Sequence, residues 1–278
     1  MKPMTRKLGI LAGGKDLPLV VIAHCRATNR PYFVLAFEDQ TDPETTKNSD
    51  HAWVRLGAIG QSIKILKQEG VQDILMVGPM KRPSWQDIRP DAKGALWFAK
   101  LAKHAFGDDS MLKIIIDQLE NEGFKVIGVE ELMGTTLLAP AGKLGKYEPD
   151  EQAKKDIQHG LKALHLLGQA DIGQSVIVQA GFILGVEAAE GTNELIRRCE
   201  RLHRPGLGGV LVKTTKPNQD RRVDLPTIGL ETVKLASRHG LRGIALREGS
   251  VQIMQRDETI QIADQTGIFI FGATDDPA

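Results

Sequence analysis

Two cysteines in 278 residues, Cys25 and Cys199, stand far apart with no CxxC or Cys/His spacing. That excludes a disulfide framework and offers no zinc pattern, so a reducing cytoplasm is the expected compartment. Charge of either sign is not in excess. Thirty-six basic against thirty-five acidic residues leave a net +1 and a pI near 7.8, which argues against a general nucleic-acid binder while leaving room for a local basic patch. Long apolar runs are missing as well. The run Leu8 to Ala12 is cut by Gly13-Gly14 and Lys15, too early for a signal-peptide core. No stretch approaches the roughly 20 apolar residues of a membrane helix, so any membrane contact is expected to be peripheral. Several catalytic signatures are absent too. There is no G-x-S-x-G, the histidines are scattered, and Gly14-Lys15 lacks the spacing and the following Ser or Thr of a Walker loop. Zinc deaminase and zincin patterns do not occur.

What is present supports folded cores. Hydrophobic residues make up 41% of the chain, and 278 residues give room for two domains. Strands are predicted over Lys7–Ala12, Tyr32–Phe37, His51–Leu56 and Val71–Val77. Helices are predicted after Asp16-Leu17-Pro18 and through Ile63 and Leu66. Pro18 suits a first helical turn, where its missing N–H is not needed. Strand-helix alternation with short glycine-rich links predicts a parallel, doubly wound sheet, whose ligands lie outside the carboxyl ends of the strands. Those ends carry Gly13-Gly14, Gly57 and Lys81-Arg82. The first of these turns, set between strand and helix, is expected to leave backbone N–H groups facing an anion; a tight turn that simply needs glycine is the alternative. Further helices are predicted over Ala92–Lys103 and Asp109–Glu122, where Asp108-Asp109 suits the helix dipole better than a metal. A last strand is predicted over Phe124–Val129.

The texture changes near Met133–Gly145, where Gly and Pro break any period. The predicted organisation is a first domain over residues 1–134, a linker at 135–149 and a second, mixed α/β domain over 150–278. The second domain opens on a helix over Glu151–Leu167 and a hairpin of Ser175–Val178 with Phe182–Val186. Helices over Glu194–Leu202, through Leu230, Val233 and Ala236 up to a stop at His239-Gly240, and over Asp257–Gln265, with short strands near Gly209–Val212, Leu241–Leu246, Val251–Gln255 and Ile268–Phe271, complete it. Glu187 and Glu190 follow a strand end, where a carboxylate suits magnesium; ordinary exposure is the alternative, more so for Glu190.

The densest cluster of charge is KTTKPNQDRRVDLPTIG, from Lys213 to Gly229. Four cations, Lys213, Lys216, Arg221 and Arg222, surround Asp220 and Asp224. Such a segment is costly to bury and suits a polyanionic ligand, with or without a divalent metal. A solvated basic loop with local ion pairs is the alternative. Phosphoanhydride chemistry would use these parts together. Cations and backbone N–H groups would neutralise oxyanions while a carboxylate holds magnesium or orients water.

Several ordered blocks resemble the LpxI-type UDP-2,3-diacylglucosamine pyrophosphatases of lipid A biosynthesis. They are Leu11-Ala12-Gly13-Gly14 with Leu17-Pro18, Glu131-Leu132-Met133-Gly134, Ala170-Asp171-Ile172-Gly173-Gln174, and Val186-Glu187-Ala188 with Glu190-Gly191-Thr192. Most specific is Lys213 with Lys216-Pro217 and Arg222-Val223-Asp224-Leu225-Pro226-Thr227-Ile228-Gly229. The resemblance runs from Lys7 to about Gly272. It implies a Rossmann-like parallel-sheet domain, a C-terminal α/β domain of the family's own kind, and substrate between them. It also implies magnesium-dependent hydrolysis of the UDP-sugar diphosphate to UMP and 2,3-diacylglucosamine 1-phosphate.

The family's essential aspartate maps to Asp224, expected to bind magnesium or position water, with Glu187 as a second metal ligand. Substrate contacts are expected at Gly13, Gly14, Asp16, Gly57, Gly134, Asp171, Gln174, Thr192, Lys213, Lys216, Arg222 and Thr227. The family loop often carries a third glycine where this chain has Lys15. Expected partners are the UDP-diacylglucosamine substrate, the cytoplasmic face of the inner membrane and a second copy in a homodimer, with no nucleic acid. The rival readings are a non-catalytic nucleotide-sugar binding or regulatory protein, and a nicotinamide-dependent oxidoreductase. The second is disfavoured by the incomplete dinucleotide fingerprint.

Overall fold

The computed structural model describes residues 6–80, 88–104, 108–217, 219–223 and 225–274, with residues 101–104 and 108–110 described by their backbone alone. Asp224 and the Lys81-Arg82 turn, both singled out above, lie outside the described residues. The chain divides into two compact units. One is Met1–Gly134 with Asp220–Val223, the other Thr135–Gln219 with Asp224–Ala278.

The first unit contains β1 (Leu8–Ala12), α1 (Leu17–Ala27), β2 (Tyr32–Phe37), β3 (His51–Val54), α2 (Ile59–Gln68), β4 (Asp73–Val77), α3 (Ala92–His104), α4 (Asp108–Asn121), β5 (Lys125–Val126) and α5 (Val129–Met133). Its five strands lie in the order β3-β2-β1-β4-β5 and every pairing is parallel. β1 is buried along its whole length, and β2 nearly so. This is why both read as continuous apolar runs and not as alternating ones. Chain order runs outward in opposite directions from the β1–β4 pair, which makes that pair the switch point of the sheet. Leu35, Ile63, Leu66, Ile74, Ile116 and Phe124 belong to one continuous core. A full burial of such a side chain contributes about 1.5–3 kcal/mol.

The strand expected over Phe124–Val129 is only two residues long and gives way to α5. Gly128 stands extended at the helix start, and Glu130 and Glu131 occupy the first turn, where carboxylates suit the helix dipole.

The second unit contains β6 (Gly142–Leu144), α6 (Glu151–Gln169), β7 (Ser175–Gln179), β8 (Phe182–Val186), α7 (Thr192–Cys199), β9 (Val210–Lys213), β10 (Thr227–Ile228), α8 (Leu230–Arg238), β11 (Gly243–Arg247), β12 (Gln252–Ile253), α9 (Arg256–Thr266) and β13 (Phe269–Ala273). Residues 142–144, within the stretch of broken texture, thus supply an edge strand. Six strands form a mixed sheet, β6-β13-β11-β9-β7-β8, with β9, β11 and β13 mutually parallel. β6, and β7 against both its neighbours, pair antiparallel. β10 and β12 form a separate parallel pair.

Alternation along the central strands sorts two cores. Val176, Val178, Val210 and Val212 face the core shared with Ile157, Leu161 and Leu164 of α6. Ile177, Leu211, Ile244 and Leu246 face the one shared with Leu195, Val233 and Ala263. Gly160 lets α6 close on the sheet, since a Cβ there would meet Val212 at 2.7 Å. α6 begins on Asp150, whose carboxylate accepts the Ala153 N–H at 2.8 Å.

Candidate active site

At the switch point of the first unit the turns after β1 and β4 press together. A Cβ on Gly13 would meet the Gly78 carbonyl oxygen at 2.4 Å, and one on Gly78 would meet the Gly14 carbonyl oxygen at 2.5 Å. The backbone N–H groups of the glycine turn are used within the unit. Gly13 donates to the Val77 carbonyl at 2.7 Å and Gly14 to the Pro79 carbonyl at 2.9 Å. The Lys15 N–H donates to the Asp42 carboxylate at 2.7 Å. The expectation of outward-facing N–H groups at Gly13 and Gly14 is therefore corrected: the glycines serve close backbone approach. Lys15 adopts φ +63°, the left-handed region that glycine enters without strain. Asp16 stands at the helix start without a side-chain capping bond.

Gly57 makes the same kind of approach elsewhere on that edge. A Cβ there would meet the Ile88 carbonyl oxygen at 2.0 Å. Asp91 serves the starts of two helices, accepting the Gln61 N–H of α2 at 3.1 Å and the Gly94 N–H of α3 at 2.7 Å. Carboxylates of the chain itself, Asp42 and Asp91, thus take backbone N–H groups at these turns and helix starts. Gly134 ends α5 at φ +70°.

The Lys213–Gly229 stretch is shared between the units, because Asp220–Val223 belongs with the first. Val223 packs against the first unit's core. A Cβ on Gly128 would meet the Arg222 Cα at 2.9 Å. Arg221 pairs with Glu130, and Arg222 with Asp220 at 2.8 Å and Glu120 at 2.9 Å. The Arg222 guanidinium hydrogen-bonded to Asp220 holds that carboxyl below the usual carboxylate range, against the opposing effect of burial. Thr227, in β10, donates to the Leu225 carbonyl at 3.1 Å.

In the second unit the carboxyl end of β9 gathers the largest share of the expected residues. Lys213 is the last residue of β9, between β7 and β11, and is only 4% exposed. Its Nζ donates to Thr192 Oγ1 at 2.6 Å and Ser175 Oγ at 3.2 Å, and lies 3.8 Å from Glu187 Oε2. Thr192 in turn donates to Glu187 Oε2 at 3.1 Å. Next to this, Lys216 pairs with Asp171, and the Gln174 carbonyl accepts the Thr214 N–H at 3.0 Å. Gly173 bears directly on Glu187, since a Cβ there would meet the Glu187 carbonyl oxygen at 1.9 Å.

Six expected residues, Asp171, Gln174, Glu187, Thr192, Lys213 and Lys216, therefore assemble around one strand end. Ser175 joins them, although sequence reasoning passed it over as the start of an apolar strand. The register that sets it opposite Lys213 has no local signal. Gly13, Gly14, Asp16, Gly57 and Arg222 belong to the first unit, each with the neighbours given above.

No group of three or more His, Cys, Asp or Glu that could hold a metal occurs among the described residues. Glu187 already faces an ammonium and a hydroxyl. The described residues do not by themselves make a magnesium site.

The two α/β units thus differ at their strand ends: one closes its parallel sheet with interlocked glycine turns, and the other carries a buried cation–carboxylate cluster. Residues 7–136 match the LpxI N-terminal domain and residues 140–271 the LpxI C-terminal domain. The chain is 38% identical over 274 residues, 96% of its own length and 97% of the relative's, to the UDP-2,3-diacylglucosamine pyrophosphatase LpxI of Caulobacter vibrioides. The chain belongs to the LpxI family.

Proposed function

We propose that the chain hydrolyses the diphosphate of UDP-2,3-diacylglucosamine, giving UMP and 2,3-diacylglucosamine 1-phosphate in lipid A biosynthesis. The observation that carries this reading is the near full-length similarity to the Caulobacter vibrioides pyrophosphatase. The site supports it chemically. A diphosphate develops charge on its oxygens as the anhydride breaks, and a preorganised cation in a water-poor setting stabilises such charge far better than one in bulk water. Lys213, fixed at the end of β9, is that cation in the second unit, and Lys216, paired with Asp171, lies three residues on.

Asp224 is assigned the task of holding magnesium or positioning the attacking water. Magnesium usually takes only one or two protein carboxylates, with water and substrate phosphates completing its shell. When bound it would neutralise phosphate oxygens. The diacyl substrate is membrane-derived, so action at the cytoplasmic face of the inner membrane belongs to the same proposal. No helix among the described residues is long and apolar enough to cross a membrane.

The test is incubation with UDP-2,3-diacylglucosamine, reading UMP with and without magnesium. The expected result is magnesium-dependent UMP release, with Asp224→Ala folded and reduced by at least about 100-fold. Absence of UMP from the wild type would leave a non-catalytic nucleotide-sugar binder as the reading. Unimpaired hydrolysis by Asp224→Ala would remove Asp224 from the chemistry.

A further inference from the structure

We infer that Glu187, Thr192 and Ser175 are positioning residues that lock the Lys213 ammonium, and that Glu187 acts as its counter-ion through Thr192 and not as a magnesium ligand. The inference deepens the proposed hydrolysis, and rests on it wherever turnover is the readout.

A lysine 4% exposed at the end of a central strand must find partners, because an isolated buried ammonium is strongly disfavoured. Lysine can only donate, so the direction of every bond around it is forced. Nζ donates to Ser175 Oγ at 3.2 Å and to Thr192 Oγ1 at 2.6 Å. Thr192 has one hydroxyl proton, and it goes to Glu187 Oε2 at 3.1 Å. The chain of polarity therefore runs from Lys213 through Thr192 to Glu187, and the carboxylate fixes the hydroxyl rotor with its lone pairs toward the ammonium.

Each member is held by regular structure. Ser175 pairs in register with Lys213 across β7 and β9. Its carbonyl accepts the Glu187 N–H at 2.8 Å. Thr192 is the first residue of α7, and Gly173 closes on the Glu187 backbone from the other side. A magnesium ion on the same carboxylate would bring a second cation against Nζ, which lies 3.8 Å from Oε2, a like-charge juxtaposition. The geometry satisfies Glu187 with the lysine instead.

Thr192→Val keeps the shape and removes the hydroxyl, whereas Thr192→Ser keeps the hydroxyl. An ordered ammonium gives a lysine Nζ–H correlation in 15N NMR. We expect that signal for Lys213 in the wild-type full chain and in Thr192→Ser, and its loss in Thr192→Val. Turnover of Thr192→Val should fall about 10- to 100-fold in kcat, as for a group displaced by a fraction of an ångström, with KM changed much less. Thr192→Ser should restore it. Glu187→Gln should lose the same signal yet show an unchanged magnesium titration midpoint.

A retained signal and normal kcat in Thr192→Val would overturn the inference. So would equal damage from Thr192→Ser and Thr192→Val, which would indicate packing at the helix start. A magnesium midpoint shifted about 10-fold or more in Glu187→Gln, with the lysine signal intact, would return Glu187 to the metal. If the wild type released no UMP, the proposed hydrolysis would fail, while the lysine signals would still decide this inference.

Discussion

The two sheets end their parallel strands in opposite ways. In the first unit the carboxyl edge is closed by backbone. Gly13 and Gly78 interlock, and Asp42 and Asp91 take N–H groups of Lys15, Gln61 and Gly94. In the second unit the corresponding edge is filled by long polar side chains, with Lys213 buried among Ser175, Thr192 and Glu187. Glycine-rich turns after a strand are thus no guarantee of an anion cradle. Their N–H groups bind ligand only where the fold has not already used them. A buried ammonium, by contrast, is expensive to maintain, and its presence at a strand end is a stronger functional signal.

Three substitutions probe that contrast, from the largest expected effect to the smallest. Gly13→Ala forces a Cβ to within 2.4 Å of the Gly78 carbonyl oxygen, and backbone has little freedom to retreat. A loss of about 3 kcal/mol is expected in denaturant unfolding. Unchanged stability with lost turnover would instead make Gly13 a ligand contact and dissolve the comparison. Lys15→Gly removes a side chain held at φ +63°. It should stabilise by up to about 1 kcal/mol in the same measurement, since glycine's greater unfolded entropy offsets part of the relief; a clear loss of stability would show that the Lys15 side chain matters to the turn.

Asp220→Asn gives the smallest effect, below about 1 kcal/mol for a partly exposed pair with Arg222. Its signature is pH dependence. The folded carboxyl titrates below its ordinary value because Arg222 hydrogen-bonds to it. Its stabilisation is complete at neutral pH, begins to fade as pH falls past about 3.9, the unperturbed aspartate value, and is gone below the depressed folded value. Unfolding between pH 5 and 2 should therefore be less pH-dependent in Asp220→Asn than in the wild type. Identical slopes would show that Arg222 does not perturb Asp220.

Much of the fold was legible because its elements carry strong local patterns. The apolar runs of β1, β2 and β4 and the helical spacing of α1 and α2 needed no tertiary information. α5 was missed because five residues are too few for a period, and β10 because two residues beside Pro226 pair only through the distant β12.

The site was legible as residue types and not as an arrangement. Charge density marked Lys213 and Lys216, the position after a strand marked Glu187, and the family blocks marked Asp171, Gln174 and Thr192. Ser175 depended on strand register. The internal bonding of the Gly13-Gly14 turn depended on the Gly78-Pro79 turn pressing against it, some sixty-five residues on. The charged loop also read as one piece. Val223 and the pairs made by Arg221 and Arg222 place part of it with the first unit, a division that charge pattern cannot express.

The most direct test of the account compares UMP release from UDP-2,3-diacylglucosamine by the wild type and Lys213→Met, with both chains checked for the same fold by circular dichroism. A strand-end cation that stabilises diphosphate charge predicts steady UMP release by the wild type and a fall of about 100-fold in kcat for the variant. Equal rates in the two folded chains would contradict it.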